Sequence, residues 1–187
     1  MTSLYASLLG PAWASLAPGV QRLHEGGARA RGLFSVRRGA GRIARLVATL
    51  LGMPRAGEGI ALTLAVEPIP AGEIWTRAFG DRRLRTVQWR RGAALVEALG
   101  LVQCLFRLRA EEGALVFEQV GTLFGSRRFT LPLPRFLAPS IEGRAAPHRD
   151  QVHVDVRIHA PVVGLLVAYE GLVTPAPSPE VSPELAP

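Results

Sequence analysis

The chain has 187 residues, enough for one domain with a full hydrophobic core. Its 22 basic residues are all arginine, with no Lys or Asn anywhere, which excludes lysine Schiff-base chemistry and a phosphate-loop lysine. The net charge of +7 is scattered from Arg22 to Arg157 as singles and pairs, a pattern that suits an anionic ligand or lipid surface better than a nucleic acid.

Residues 3 to 24 read as broken helix. Leu4, Leu8, Trp13, Leu16, Val20 and Leu23 fall on one side, and Pro11 and Pro18 each suit the first turn of a short helix. A β-like segment, GLFSVRR, follows from Gly32 to Arg38. Residues 40 to 52 give the clearest helical spacing, with Ile43, Leu46, Val47, Leu50 and Leu51 repeating every three or four positions. Gly52 and Pro54 stop it. This helix is expected to pack its leucines on the core. The competing reading lays it on a membrane or partner surface through Arg42 and Arg45.

From Ile60 onward the signals are β. ALTLAVEP, GEIWTRAF and RLRTVQWRR read as strands, with Gly80-Asp81 as a two-residue hairpin turn between the last two. ALVEAL, LVQCLFRLRA, ALVFEQV and RRFTLPL come next. A proline-punctuated corner, LPLPRFLAP, leads to SIEGRA, QVHVDVRIH and VGLLVAYEGLV. About nine or ten short strands with no helices between them cannot lie flat without exposed edges. The expectation is a mainly β (α+β) domain over residues 1–173. Its antiparallel sheet curls into a barrel or bends strongly, and the helices within 3–52 form an N-terminal cap. The Pro- and Glu-rich tail, 174–187, is expected to be disordered.

Cys104, the single cysteine, alternates with Val102, Phe106 and Leu108 and reads as a buried, inert thiol. No apolar run reaches the length of a membrane-spanning helix, and the first 21 residues lack the charge pattern of a signal peptide, so a cytoplasmic location is expected.

No catalytic motif, metal-ligand spacing or cofactor-binding loop appears, so no catalytic residue, metal or cofactor is assigned. Two groups of residues are candidates for ligand contact. Glu73, Trp75, Arg77 and Phe79 share one face of a strand, and Trp89 lies on the next. An arginine between aromatic rings can stack and still present a bidentate fork to an anion. His153, Asp155, Arg157 and His159 share one face of QVHVDVRIH, opposite Val152, Val154, Val156 and Ile158. That polar face points either to solvent or into a cavity.

With these segments laid out, the chain resembles the mainly bacterial family called domain of unknown function 4166. The resemblance rests on LYASLLGPAW, LHEG, GRIARLVATLLGMP, EIWTRAFG, LPLPRFLAP and HAPVVGLLVAYEG, in that order. In related proteins the domain stands alone or behind a nucleotide-binding oxidoreductase domain. The resemblance therefore implies an accessory or ligand-holding role, and it carries no catalytic residues with it. The reading as a whole is a non-enzymatic binding domain for a hydrophobic or amphipathic anionic small molecule, held between sheet and helices. The alternatives are an interaction module for an oxidoreductase partner or a membrane surface, and an enzyme with its site at a barrel mouth.

Overall fold

The computed structural model describes residues 3–176. Two short α-helices, α1 (Leu4–Leu9) and α2 (Pro18–Leu23), flank a 3-10 turn at Gly10–Ser15. They are followed by β1 (Arg29–Arg38), helix α3 (Arg42–Leu50) and β2 (Gly57–Ile69). The run continues with β3 (Gly72–Phe79), β4 (Arg82–Arg91), β5 (Ala94–Leu99), β6 (Val102–Glu111) and β7 (Ala114–Gly125). The last strands are β8 (Thr130–Pro132), β9 (Ser140–His148), β10 (Gln151–Ala160) and β11 (Gly164–Pro175).

Each strand pairs antiparallel with its neighbours, in the order β6-β5-β4-β3-β2-β1-β11-β10-β9-β7, and β7 pairs back onto β6. The result is a closed ten-stranded barrel, with β8 as an extra strand on the end of β7. Closure removes the free edges that a flat sheet of this size would expose. The tight turns follow from local sequence. Gly80, Gly92, Gly100, Glu112, Gly113 and Arg149 all adopt positive φ, as two-residue hairpin turns require. Gly72 is needed for another reason: a Cβ there would sit 1.9 Å from the Gln88 carbonyl oxygen.

The two chain ends of the barrel meet in one seam. β1 pairs with β11 from Ala30↔Pro175 to Arg38↔Val167, and the Ala176 N–H donates to the Arg29 carbonyl oxygen at 2.7 Å. The expected domain boundary at 173 thus falls inside β11; of the expected disordered tail, residues 177–187 lie outside the described ones.

The helices of the first 24 residues close one end of the barrel. They bury Tyr5, Leu9, Leu16, Val20, Leu23 and His24 against the strand ends. At the other end stands α3, beside β1 and β11. Its orientation differs from expectation. Ala44 and Ala48 are buried, whereas Ile43, Leu46 and Leu50 are exposed. Small alanines let the helix approach the strand ends closely, and that turns the leucine stripe outward. Among the described residues, no helix is long and apolar enough to cross a membrane.

Candidate functional site

Strand alternation puts every second side chain inside the barrel. The inward positions of β2, β3 and β4 are Leu62, Leu64 and Val66, then Glu73, Trp75, Arg77 and Phe79, then Leu84, Thr86 and Gln88. On β5 and β6 they are Leu95, Glu97 and Leu99, then Val102, Cys104 and Phe106. β9 to β11 contribute Ile141, Ala145, Val154, Val156, Ile158 and Tyr169. These side chains do not fill the interior. They leave a cavity of about 190 Å³, lined chiefly by apolar groups.

The closed end of the cavity is aromatic. The Tyr5 and His24 rings lie 4.7 Å apart, and each packs on Trp75, at 5.8 and 5.5 Å. The Tyr5 hydroxyl donates to Gln88 Oε1 at 2.7 Å, tying α1 to β4. Gln88 Nε2 is buried with no protein partner among the described residues. Burial pushes the His24 imidazole down to about 4, against the hydrogen bond from Nδ1 to the Val20 carbonyl. The ring is therefore neutral at ordinary pH, with Nδ1–H as the donor. Burial also raises Glu73, although Trp75 Nε1–H donates to its Oε2 at 3.1 Å.

The middle of the cavity holds one charged cluster. Arg77 donates through Nη1 to Thr86 Oγ1 at 3.0 Å and through Nη2 to Glu97 Oε1 at 3.1 Å. Thr86 Oγ1 in turn donates to Glu97 Oε1 at 2.7 Å. The guanidinium lies over the Trp75 ring at 5.1 Å. Burial works against the Arg77 charge, but Glu97, Tyr169 and Tyr5 together more than offset it, so the group is held protonated. Burial likewise raises the Tyr169 and Tyr5 hydroxyls. Cys104 is pushed up to about 12 by burial, with Glu97 adding, which leaves its thiol protonated and unreactive as a nucleophile.

The candidates from sequence separate into two sets. Trp75 and Arg77 line the cavity, with Glu73 and Phe79 on the same face. Trp89 does not reach it. That ring lies on the outer wall under the Arg127 guanidinium, 4.7 Å from its centroid. His153, Asp155, Arg157 and His159 are also on the outer wall, because Val152, Val154, Val156 and Ile158 take the inward positions of β10. Arg157 Nη2 donates to Asp155 Oδ2 at 2.9 Å, and together they edge a shallow surface dimple with Glu142 and Arg144. Arg42 and Arg45 lie on α3, at the far end from the aromatic plug. Among the described residues, no three His, Cys, Asp or Glu side chains gather as metal ligands would.

Sequence reasoning missed Tyr5, His24, Thr86, Gln88 and Glu97. For Glu97 a signal existed: an acid on the same face as Leu95 and Leu99, inside the apolar strand ALVEAL. A carboxylate there needs a buried cation, and Arg77 is that cation.

Fold and interior together define the class: a closed antiparallel β-barrel, mainly β with a small helical cap, around an apolar cavity. The family model of domain of unknown function DUF4166 matches residues 16–173, and the chain belongs to that family. No curated protein and no solved structure matches the chain.

Proposed function

We propose that the barrel binds a hydrophobic or amphipathic anionic small molecule in its interior. The observation that carries this reading is a largely apolar cavity inside the barrel with one protonated arginine, Arg77, aimed into it. A cavity of about 190 Å³ far exceeds the ~10–15 Å³ that a single water needs, so it is room for a ligand rather than a packing defect. Its lining divides as ligand pockets do, into a broad apolar wall and a few convergent polar groups. Leu62, Leu64, Val154 and Val156 belong to the wall; Arg77, Thr86 and Tyr169 belong to the polar sector. Arg77 spends two of its five N–H donors on Thr86 and Glu97 and retains donors for an acid head group.

Native mass spectrometry of the purified protein is the direct test, with a co-purifying small molecule as the expected result. Titration with a fluorescent fatty-acid analogue extends it. The double variant Arg77→Met/Glu97→Gln leaves neither charge unpaired. It is expected to weaken the analogue about tenfold, the worth of one charge-assisted hydrogen bond of about 1.5 kcal/mol, while leaving the corresponding alcohol unaffected. An empty protein that also ignores both probes overturns the reading.

A further inference from the structure

The open end of the barrel has a surface unlike the rest of the molecule. Of the thirteen large apolar side chains exposed among the described residues, eleven lie at this end, on α3, on the turns between strands, or at β7's end and β8. The other two, Leu33 and Val120, are on the outer wall, and among the described residues the helix-capped end has none. On α3, Ile43, Leu46 and Leu50 fall within about 60° of arc and face solvent, flanked by Arg42 and Arg45. Leu101 caps the β5–β6 turn and Val162 the β10–β11 turn, where it is fully exposed. Phe124 on β7 is paired with Leu131 on β8, and both are exposed, as are Phe136 and Leu137 just before β9.

Charge follows the same division. The connections at the open end (residues 39–56, 80–81, 100–101, 126–139 and 161–163) contain six arginines and one acid, Asp81; one of the six, Arg127, turns back along the outer wall over Trp89 to the Ala71 carbonyl, which leaves five at this end. Asp81 is engaged by Arg55 at 3.5 Å. Arg42, Arg45, Arg128 and Arg135 make no ion pair among the described residues. At the capped end, residues 3–28, 70–71, 92–93, 112–113 and 149–150 contain two arginines and three acids.

The cavity opens among these groups. Leu51, Leu99, Val102, Pro139, Ile141 and Ile158 line it at this end, and none of them is fully buried. We infer that the open end docks on an anionic lipid bilayer, with the apolar side chains entering the headgroup layer and the arginines meeting lipid phosphates or carboxylates. Two observations favour a bilayer over a protein partner. The apolar groups are spread over four separate segments around a mouth, without forming a groove that a peptide could fill. The unpaired cations lie among them rather than in a separate patch, matching a surface that is apolar beneath and anionic above. Exchange of an amphipathic ligand through the mouth follows from this docking, and that further step rests on the proposed ligand-binding function.

The test is co-sedimentation with two sets of vesicles, neutral phosphatidylcholine alone and phosphatidylcholine with about a third phosphatidylglycerol, beside titration of the fluorescent fatty-acid analogue without vesicles. Binding to the anionic set only, weakened by salt, is the expected result. The triple variant Arg42→Gln/Arg45→Gln/Arg135→Gln is expected to lose about a hundredfold in vesicle affinity, at about fivefold per arginine, with analogue binding unchanged. The exposed pair Leu46→Ser/Phe136→Ser is expected to reduce vesicle binding likewise while leaving the thermal transition in place. Equal binding to both vesicle sets, or indifference to the arginine changes, overturns the docking. So does self-association abolished by the same substitutions, which would assign the surface to a second copy. Analogue binding without vesicle binding removes the docking and keeps the ligand-binding function; vesicle binding without analogue binding does the reverse.

Discussion

At the scale of residues, the interior is governed by the cost of hiding polar groups. Arg77, Glu97 and Thr86 come from three adjacent strands and satisfy one another, which is what permits charge inside an apolar barrel. His24 meets the same cost by staying neutral. Its folded-state value near 4 lies below the ordinary 6.5, so between those pH values the unfolded chain holds more protons than the folded one. This contribution is complete above pH 6.5 and is lost as pH falls toward 4, amounting to about 3 kcal/mol over the window. Urea denaturation at pH 7 and pH 4.5 is expected to show a smaller pH loss in His24→Asn than in the parent, because Asn can still donate to Val20 but does not titrate. Equal losses in the two proteins would assign the acid sensitivity to other groups. Little of this was readable from sequence. Its aromatic neighbours mark Arg77 in the sequence, but its partner Glu97 lies twenty residues away, across two strand pairings that only the register sets.

At the scale of elements, alternation and turn chemistry fixed most strands. QVHVDVRIH reads as a half-buried strand and is β10, and Gly80-Asp81 is the turn it was expected to be. Alternation separates two faces without saying which of them is inside. A barrel interior can be polar or apolar, so the placement of His153, Asp155, Arg157 and His159 had to await closure of the sheet. Helix α3 poses the same problem in another form. Helical spacing located the apolar stripe, but the direction it faces depends on whether alanine or leucine fits the space beside β1 and β11. The energetic consequence runs against the usual expectation for leucine. Ala48→Leu is expected to destabilise by about 1–3 kcal/mol through overpacking, whereas Leu46→Ser and Leu50→Ser stay within about 0.5 kcal/mol of the parent. Thermal or urea unfolding of the three variants measures this. A large loss in the serine variants would return the leucines to the core.

At the scale of the whole molecule, the barrel is one cooperative object because its wall has no beginning or end. β1 is held on both sides, by β2 and by β11, and Gly32 lets the seam close: a Cβ there would lie 2.0 Å from the Leu172 carbonyl oxygen. A chain ending at Val163 lacks β11 and leaves β1 and β10 with unpaired edges. It is expected to show no cooperative thermal transition by circular dichroism and to elute as aggregate in gel filtration. A sharp transition from a monomer of that length would mean that ten pairings are more than the fold requires.

The seam also places the fold in time. The helices that plug the barrel leave the ribosome before any of its strands, and the strand that completes its wall leaves after all the others. Until residues 164–175 emerge, β1 has no second neighbour, although it was made some 130 residues earlier. Nascent chains therefore carry two open strand edges from the making of β1 until β11 emerges. Closure must also join segments far apart in sequence, the kind of contact that forms slowly. The interval between making β1 and making β11 is when the barrel strands are most exposed to wrong pairing, and the architecture that gives the finished barrel no edges concentrates that hazard before its wall closes.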